Sequence, residues 1–325
     1  MAGIPLEFIA LPPLALAAGV DLYLTLLFIG AAPTTGLWEL PLPGALGDLD
    51  SPGVLIMVGA FYILEFAAER FPPAALAWNA FHAIIRPVSG MLLALLLLDG
   101  HPPAIMIGGS LLGGVLASLA HGVRSGGAVV RWLGSESPPS VLLVSLGEDA
   151  LVLGVVSLAL DAPAWALAVS LTILVAIAYP APSLIRAFGF AIRLAIVRIF
   201  QTLRQRRWRG ADELPDWVRR TLEDDDVLAP GGALRGCPVG AYRLPGAPRF
   251  TLGWVVVRGG APVFVFRRRR TATCLDFGAM TATHVLEGDF FRRIDLRSAD
   301  DPSARLFFDL NGPSEASLRA EFLAV

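Results

Sequence analysis

Six apolar runs of spanning length occupy the first 185 positions, at about 8–31, 52–70, 79–98, 104–122, 139–160 and 164–184. A helix needs roughly 20 apolar residues to cross a hydrocarbon core of ~30 Å. Backbone polar groups in lipid must be satisfied within their own segment, so each run is predicted to be a helix. Breakers stand between the runs: Pro33, Pro41 and Pro43, Pro72-Pro73, Pro102-Pro103, Pro138-Pro139, Pro163, and Pro180 with Pro182. Trp38, Trp78, Trp132 and Trp165 fall near the run ends, where an aromatic belt sits.

The pattern changes after the sixth run. From 183 to 209, Leu184, Ile185, Phe188, Ile192, Ile196, Ile199, Phe200 and Leu203 alternate with arginines. This predicts an amphipathic helix at 186–210 lying on the cytoplasmic membrane surface, with Arg193, Arg204, Arg206 and Arg207 toward anionic headgroups. Positions 211–325 read as a small water-soluble domain. A polar helix is expected over 212–226. Paired strands are expected at 250–257 and 262–266, and further strands at 283–286, 290–296 and 305–310. A last helix runs from Pro313 to about Phe322, with Asn311 or Gly312 near its cap. A small curved sheet closed by a C-terminal helix resembles the pleckstrin-homology-like class, an analogy of fold alone.

Charge sets the orientation. The connections at 32–51, 99–103 and 161–163 contain no arginine. The alternate ones carry Arg70, then Arg124 and Arg131, and a dense series begins at Arg186. The positive-inside rule therefore places both termini in the cytoplasm of a multi-pass protein of the cell (inner) membrane. The chain is 55% hydrophobic and 17% charged, against about 25% charged for a soluble domain. A net charge of −2 implies no nucleic-acid partner. The cysteines, Cys237 and Cys274, have the spacing of neither a disulfide framework nor a zinc site.

Ionisable groups inside the runs are the candidate chemistry, because each costs at least ~2.5–3.5 kcal/mol to insert. They are Asp21, Glu65, His82, Arg86, Glu148 and Asp149. His82 and Arg86 are four apart, on one helical face. Two roles compete: interhelical ion pairs in which Glu65 or Glu148 meets Arg86, and a proton or cation path through acids left without a base. An internal repeat adds to this. Ser51-Pro52-Gly53-Val54-Leu55 resembles Ser137-Pro138-Pro139-Ser140-Val141, and each leads into a run with an acid, Glu65 or Glu148. The runs point in opposite directions, so two readings stand: two inverted three-helix halves, an arrangement used by transporters, or a chance likeness between apolar segments.

Several segments resemble the bacterial family called domain of unknown function 4126. They are Gly19-Val20-Asp21-Leu22-Tyr23-Leu24-Thr25-Leu26, Leu40-Pro41-Leu42-Pro43-Gly44 with Ser51-Pro52 and Glu65-Phe66, the stretch from Trp78 to Gly90, and Ser137-Pro138 with Glu148-Asp149. The resemblance covers about 8–185 and implies an integral membrane protein without an assigned substrate.

The expected fold is thus a mainly α membrane protein: a six-helix bundle plus a small α+β domain. The lead function is a transporter or channel for a proton, cation or small solute. The alternative is a scaffold whose cytoplasmic domain binds a protein partner or inner-leaflet lipid. Arg267, Arg268, Arg269 and Arg270 are the candidate lipid or anion contact in that domain. Expected partners are the bilayer, anionic lipid, a cytoplasmic protein or a second copy of the chain as a homo-oligomer. No phosphate loop, nucleophile elbow or metal motif appears, so neither an enzyme nor a cofactor is expected.

Overall fold

The computed structural model describes residues 5–35, 44–133, 138–199, 208–224, 234–258, 261–268, 271–277, 280–288, 291–297 and 304–323. Two compact units result, Met1–Ile185 and Arg186–Val325. The expectations placed on Trp38, Pro41, Pro43, Ser137, Arg204, Arg206, Arg207, Arg269 and Arg270 fall outside the described residues.

The first unit is helical. Its helices are α1 (Leu6–Val20), α2 (Leu22–Thr34), α3 (Pro52–Ala68), α4 (Pro72–Leu97), α5 (Pro103–Leu133), α6 (Pro138–Asp161), α7 (Pro163–Ala178) and the start of α8 (Ala181–Ile199). Proline opens α3, α4 and α7, where its missing N–H has no intrahelical acceptor to lose. Ser51 caps α3 by accepting from the Val54 amide at 3.4 Å.

Three helices among the described residues are long and apolar enough to cross a membrane, α4, α5 and α6. A fourth counts if α7 and α8, bent by 73°, are one span. The predicted first span is two shorter helices. It breaks at Asp21, whose backbone is extended (φ −139°, ψ 102°).

Large apolar side chains stand exposed on the outside of the unit, while ionisable ones are buried within its apolar core. Ile56, Ile84, Leu143 and Val175 are 75%, 72%, 70% and 76% exposed, whereas Glu65 and Arg86 are 2% and 0% exposed. Water would penalise that surface, and hydrocarbon would not. α1 is central, packing on α4, α5, α6 and α7 through Ala10, Leu11, Leu14, Ala17 and Ala18.

Small residues set two backbone approaches. A Cβ on Gly90 would stand 2.6 Å from the Gly113 carbonyl, and one on Gly126 would stand 1.9 Å from the Leu184 carbonyl. Gly126→Ala must therefore push α5 and α8 apart. We expect it to cost about 1–3 kcal/mol, read as a lower melting temperature in detergent. Gly108→Ala, with nothing within 4 Å, should melt like the wild type.

The second unit is an antiparallel sheet with helices on both faces. Its elements are β1 (Arg209–Gly210), α9 (Asp216–Asp224), β2 (Arg235–Tyr242), β3 (Phe250–Arg258), β4 (Ala261–Arg268), β5 (Thr271–Asp276), β6 (Thr281–Glu287), β7 (Phe291–Arg297), β8 (Ala304–Asp309) and α10 (Glu315–Phe322). The strand order is β5-β4-β3-β2-β8-β7-β6, with β1 on β2. Two meanders, β2–β5 and β6–β8, thus join through β2 and β8.

Alternation divides the faces. Val255, Val257, Phe264, Phe266 and Phe308 pack with Leu318 and Phe322 of α10. Val256, Val263 and Val265 pack with Val218 and Leu222 of α9. Gly240 leaves room for the Phe190 ring of α8, which also meets Phe250 at 5.7 Å. Arg193 of α8 donates to Asp309 at 2.7 Å. That face of α8 is therefore seated on the sheet, with Phe190, Ala191 and Leu194 buried.

β2 escapes the sequence pattern because Gly236, Pro238 and Gly240 interrupt it. Its proline is tolerated for a positional reason. On the edge opposite β3, β1 pairs with residues 235–236 and β8 with 239–242, so Pro238 lies in the gap where no N–H is required.

Cys237 is 1% exposed in this sheet, and burial pushes its thiol well above the usual range. The thiolate is the reactive form, so Cys237 should stay inert when a maleimide at pH 8 modifies the partly exposed Cys274. Mass mapping before and after denaturation checks this; equal labelling of both in the native state would contradict it.

Candidate functional site

The break at Asp21 leaves two helix ends facing each other inside the first unit, and charged side chains of this chain cap both. The Asp21 carboxylate accepts the Leu24 amide at 2.9 Å and so caps the start of α2. Thr25 donates to the Asp21 carbonyl at 2.6 Å. At the end of α1, Arg86 of α4 donates to the Gly19 carbonyl at 2.7 Å and to the Val20 carbonyl. Its other terminal nitrogen pairs with Glu65 of α3. A cation on a helix C-terminus and an acid on an N-terminus both match the peptide dipoles. Close packing brings the parts together: a Cβ on Gly19 would stand 2.5 Å from the Ala117 carbonyl of α5.

A second guanidinium organises the acids. Arg124 of α5, 7% exposed, reaches Glu65 at 3.2 Å, Glu69 at 2.5 Å and Glu148 of α6 at 2.8 Å. Arg131 lies 3.6 Å from Glu148. Glu65 Oε1 therefore serves both Arg86 and Arg124, while Glu65 Oε2 and Arg86 Nε are buried without a hydrogen-bond partner among the described residues. Asp149 accepts from Tyr62 at 3.0 Å.

The histidines are placed by their acceptors. His82 Nδ1 faces the Trp78 carbonyl at 2.8 Å, and a carbonyl only accepts, so Nδ1 carries the proton. Nε2 and the Tyr23 hydroxyl are hydrogen-bonded at 2.9 Å. His82 stacks on Trp78 at 4.6 Å. His121 Nε2 likewise faces the Asn79 carbonyl at 3.0 Å.

Of the residues the sequence singles out, Asp21, Glu65 and Arg86 meet at the break. Glu148 joins them through Arg124 rather than through Arg86, and Asp149 lies beside Tyr62. His82 shares a helix face with Arg86 and bonds Tyr23. Arg124, Arg131 and Glu69 are the residues sequence reasoning missed. Arg124 reads as an orientation marker in a connection, yet α5 continues nine residues past it to Leu133. The signal was present: His121, Gly122, Ser125 and Gly126 flank it with the small and polar residues of a packed helix rather than a loop. In the second unit, Arg193 bonds Asp309 as described, while Arg267 and Arg268 are exposed at the end of β4.

Among the described residues, no three His, Cys, Asp or Glu side chains are grouped to hold a metal ion. Residues 10–182 match the model of a family described as "Domain of unknown function (DUF4126)". No curated protein matches the chain.

Proposed function

Because the chain belongs to the domain-of-unknown-function 4126 family, whose description carries no activity, we propose a function from the charge cluster itself: the helical unit passes a proton or small cation across the bacterial inner membrane. The observation that supports this is an excess of acid in the cluster, with Asp21 and Glu65 themselves buried. Asp21, Glu65, Glu69, Glu148 and Asp149 stand against Arg86, Arg124 and Arg131. Among the described residues the five carboxylates outnumber the three guanidiniums by two, and one of them, Asp21, is 3% exposed. In a low-dielectric interior such an acid is protonated or holds a cation. The unpartnered Glu65 Oε2 gives a mobile proton a place to bind.

In this reading the bundle has six spans, α1 and α2 forming one span broken at Asp21, and the arginine-bearing connections face the cytoplasm. α5 is 31 residues long. At 1.5 Å per residue, Arg124 lies about 32 Å from its start, near the far boundary of a ~30 Å core. The Arg124 cluster is then the cytoplasmic mouth, and Asp21 with Arg86 the deeper site. Broken helices at a midplane site are a transporter device, consistent with two inverted halves that each contribute a glutamate to Arg124. The sheet unit, two meanders closed by a C-terminal helix, fits a pleckstrin-homology-like fold on the cytoplasmic side.

Purified protein in proteoliposomes with an internal pH dye and an imposed potassium diffusion potential tests this. Acidification or cation uptake faster than in protein-free vesicles is expected. Equal rates for protons, sodium and potassium would overturn it.

A further inference from the structure

The sheet register gathers arginines from separate parts of the chain at one end of the second unit. Arg305 stands opposite Tyr242, and Tyr242 opposite Phe250. Arg243 and Arg249 flank that pair in the turn between β2 and β3. Arg267 and Arg268 finish β4 beside the start of β3, because Gly253 pairs with Phe266. Two guanidiniums approach the Tyr242 ring, Arg243 at 5.5 Å and Arg249 at 5.8 Å, and Arg249 also donates to its hydroxyl at 3.3 Å. Arg267 lies over Trp217 at 4.9 Å.

The turn is built rather than loose. The Arg243 amide donates to the Arg249 carbonyl at 2.9 Å, and Leu244 is buried in the core beneath α10. Arg243 is held at φ +51°, a region that non-glycine residues seldom adopt. Its side chain and those of Arg249, Arg267 and Arg268 are exposed.

The acids lie elsewhere. Asp276, Glu287 and Asp309 close β5, β6 and β8 at the opposite strand ends. Near the basic end, among the described residues, Asp295 is shared by Arg293 at 2.9 Å and Arg305 at 3.4 Å, and Asp216 is engaged by Arg219. The sheet is thus polarised, with a rigid arginine-rich rim at one end.

We infer that this rim, centred on Arg243 and Arg249, is a docking surface for the phosphate headgroups of anionic lipid. Guanidinium forks match phosphate oxygens two at a time, and Arg243 and Arg249 both lie within 6 Å of the Tyr242 ring, the second also bonded to its hydroxyl. A bilayer is favoured over a soluble partner by covalent continuity. Arg186, the first residue of this unit, follows Ile185 of the helical unit within the single helix α8, so a membrane surface is always within reach of the chain. Each arginine near an anionic surface strengthens attraction roughly fivefold. The inference does not depend on whether the helical unit transports anything.

The full chain in nanodiscs tests it by amide hydrogen exchange. At low salt, the amides of 243–249 should exchange several-fold more slowly in discs with phosphatidylglycerol than in phosphatidylcholine alone. The difference should vanish in 0.5 M NaCl and in R243Q/R249Q. Unchanged exchange of the β3 amides in that variant shows that the sheet is intact. Equal exchange of wild type in both discs would overturn the inference. So would protection in zwitterionic discs by inorganic phosphate alone, which marks a soluble-anion site, or by an acidic peptide alone, which marks a protein surface.

Discussion

Replacing Arg124 with glutamine is expected to cost on the order of 3–5 kcal/mol, the range for removing one partner of a buried ion pair. The physical reason is what remains. Glu65, 2% exposed, would keep only Arg86, while Glu69 and Glu148, 19% and 21% exposed, would lose contacts of 2.5 and 2.8 Å. Three acids on two helices would then repel one another where Arg124 held them. Melting in detergent checks this. Arg131→Gln is the internal control: one contact at 3.6 Å with partners about a fifth exposed should contribute less than about 1 kcal/mol. Adding Glu65→Gln to Arg124→Gln should restore part of the loss, since it removes the acid at the centre of the repulsion. A wild-type melt for Arg124→Gln would mean that the cluster does not hold the bundle together.

Apolar periodicity carried much of the fold. The long helices α5 and α6 begin within a residue of where runs of spanning length put them, while α4 begins at Pro72, seven residues before its run, because proline is tolerated in a first helical turn. β3, β4, β7 and β8 were similarly legible from alternation, and α10 was placed by sequence although its cap is Ser314 rather than Asn311 or Gly312. What escaped depended on tertiary partners. The break at Asp21 has no proline or glycine at the break itself; it exists because Arg86, 65 positions later, binds the carbonyls that the break exposes. β2 escaped because its proline is harmless only where β1 stops and β8 starts. Asp21, Glu65 and Arg86 were identifiable as charges that hydrocarbon should not contain. Arg124 was harder to read, since a charge near a span end has an ordinary explanation in orientation; the small and polar residues around it marked a packed helix, but its three carboxylate partners are visible only in the fold.

Asp21→Asn separates transport from architecture. Asparagine keeps the size of the side chain and is as good a helix cap as aspartate, so the bond to the Leu24 amide survives. What it removes is the charge that a proton or cation would neutralise at the helix break. Its effect on stability should therefore be small beside that of Arg124→Gln, and its effect on flux should be the largest of any single-site change. The decisive measurement is flux through Asp21→Asn and wild-type proteoliposomes at equal protein density, with matched melting curves. The proposed path predicts flux near the protein-free baseline in the variant with an unchanged melt. Wild-type flux in Asp21→Asn would contradict it.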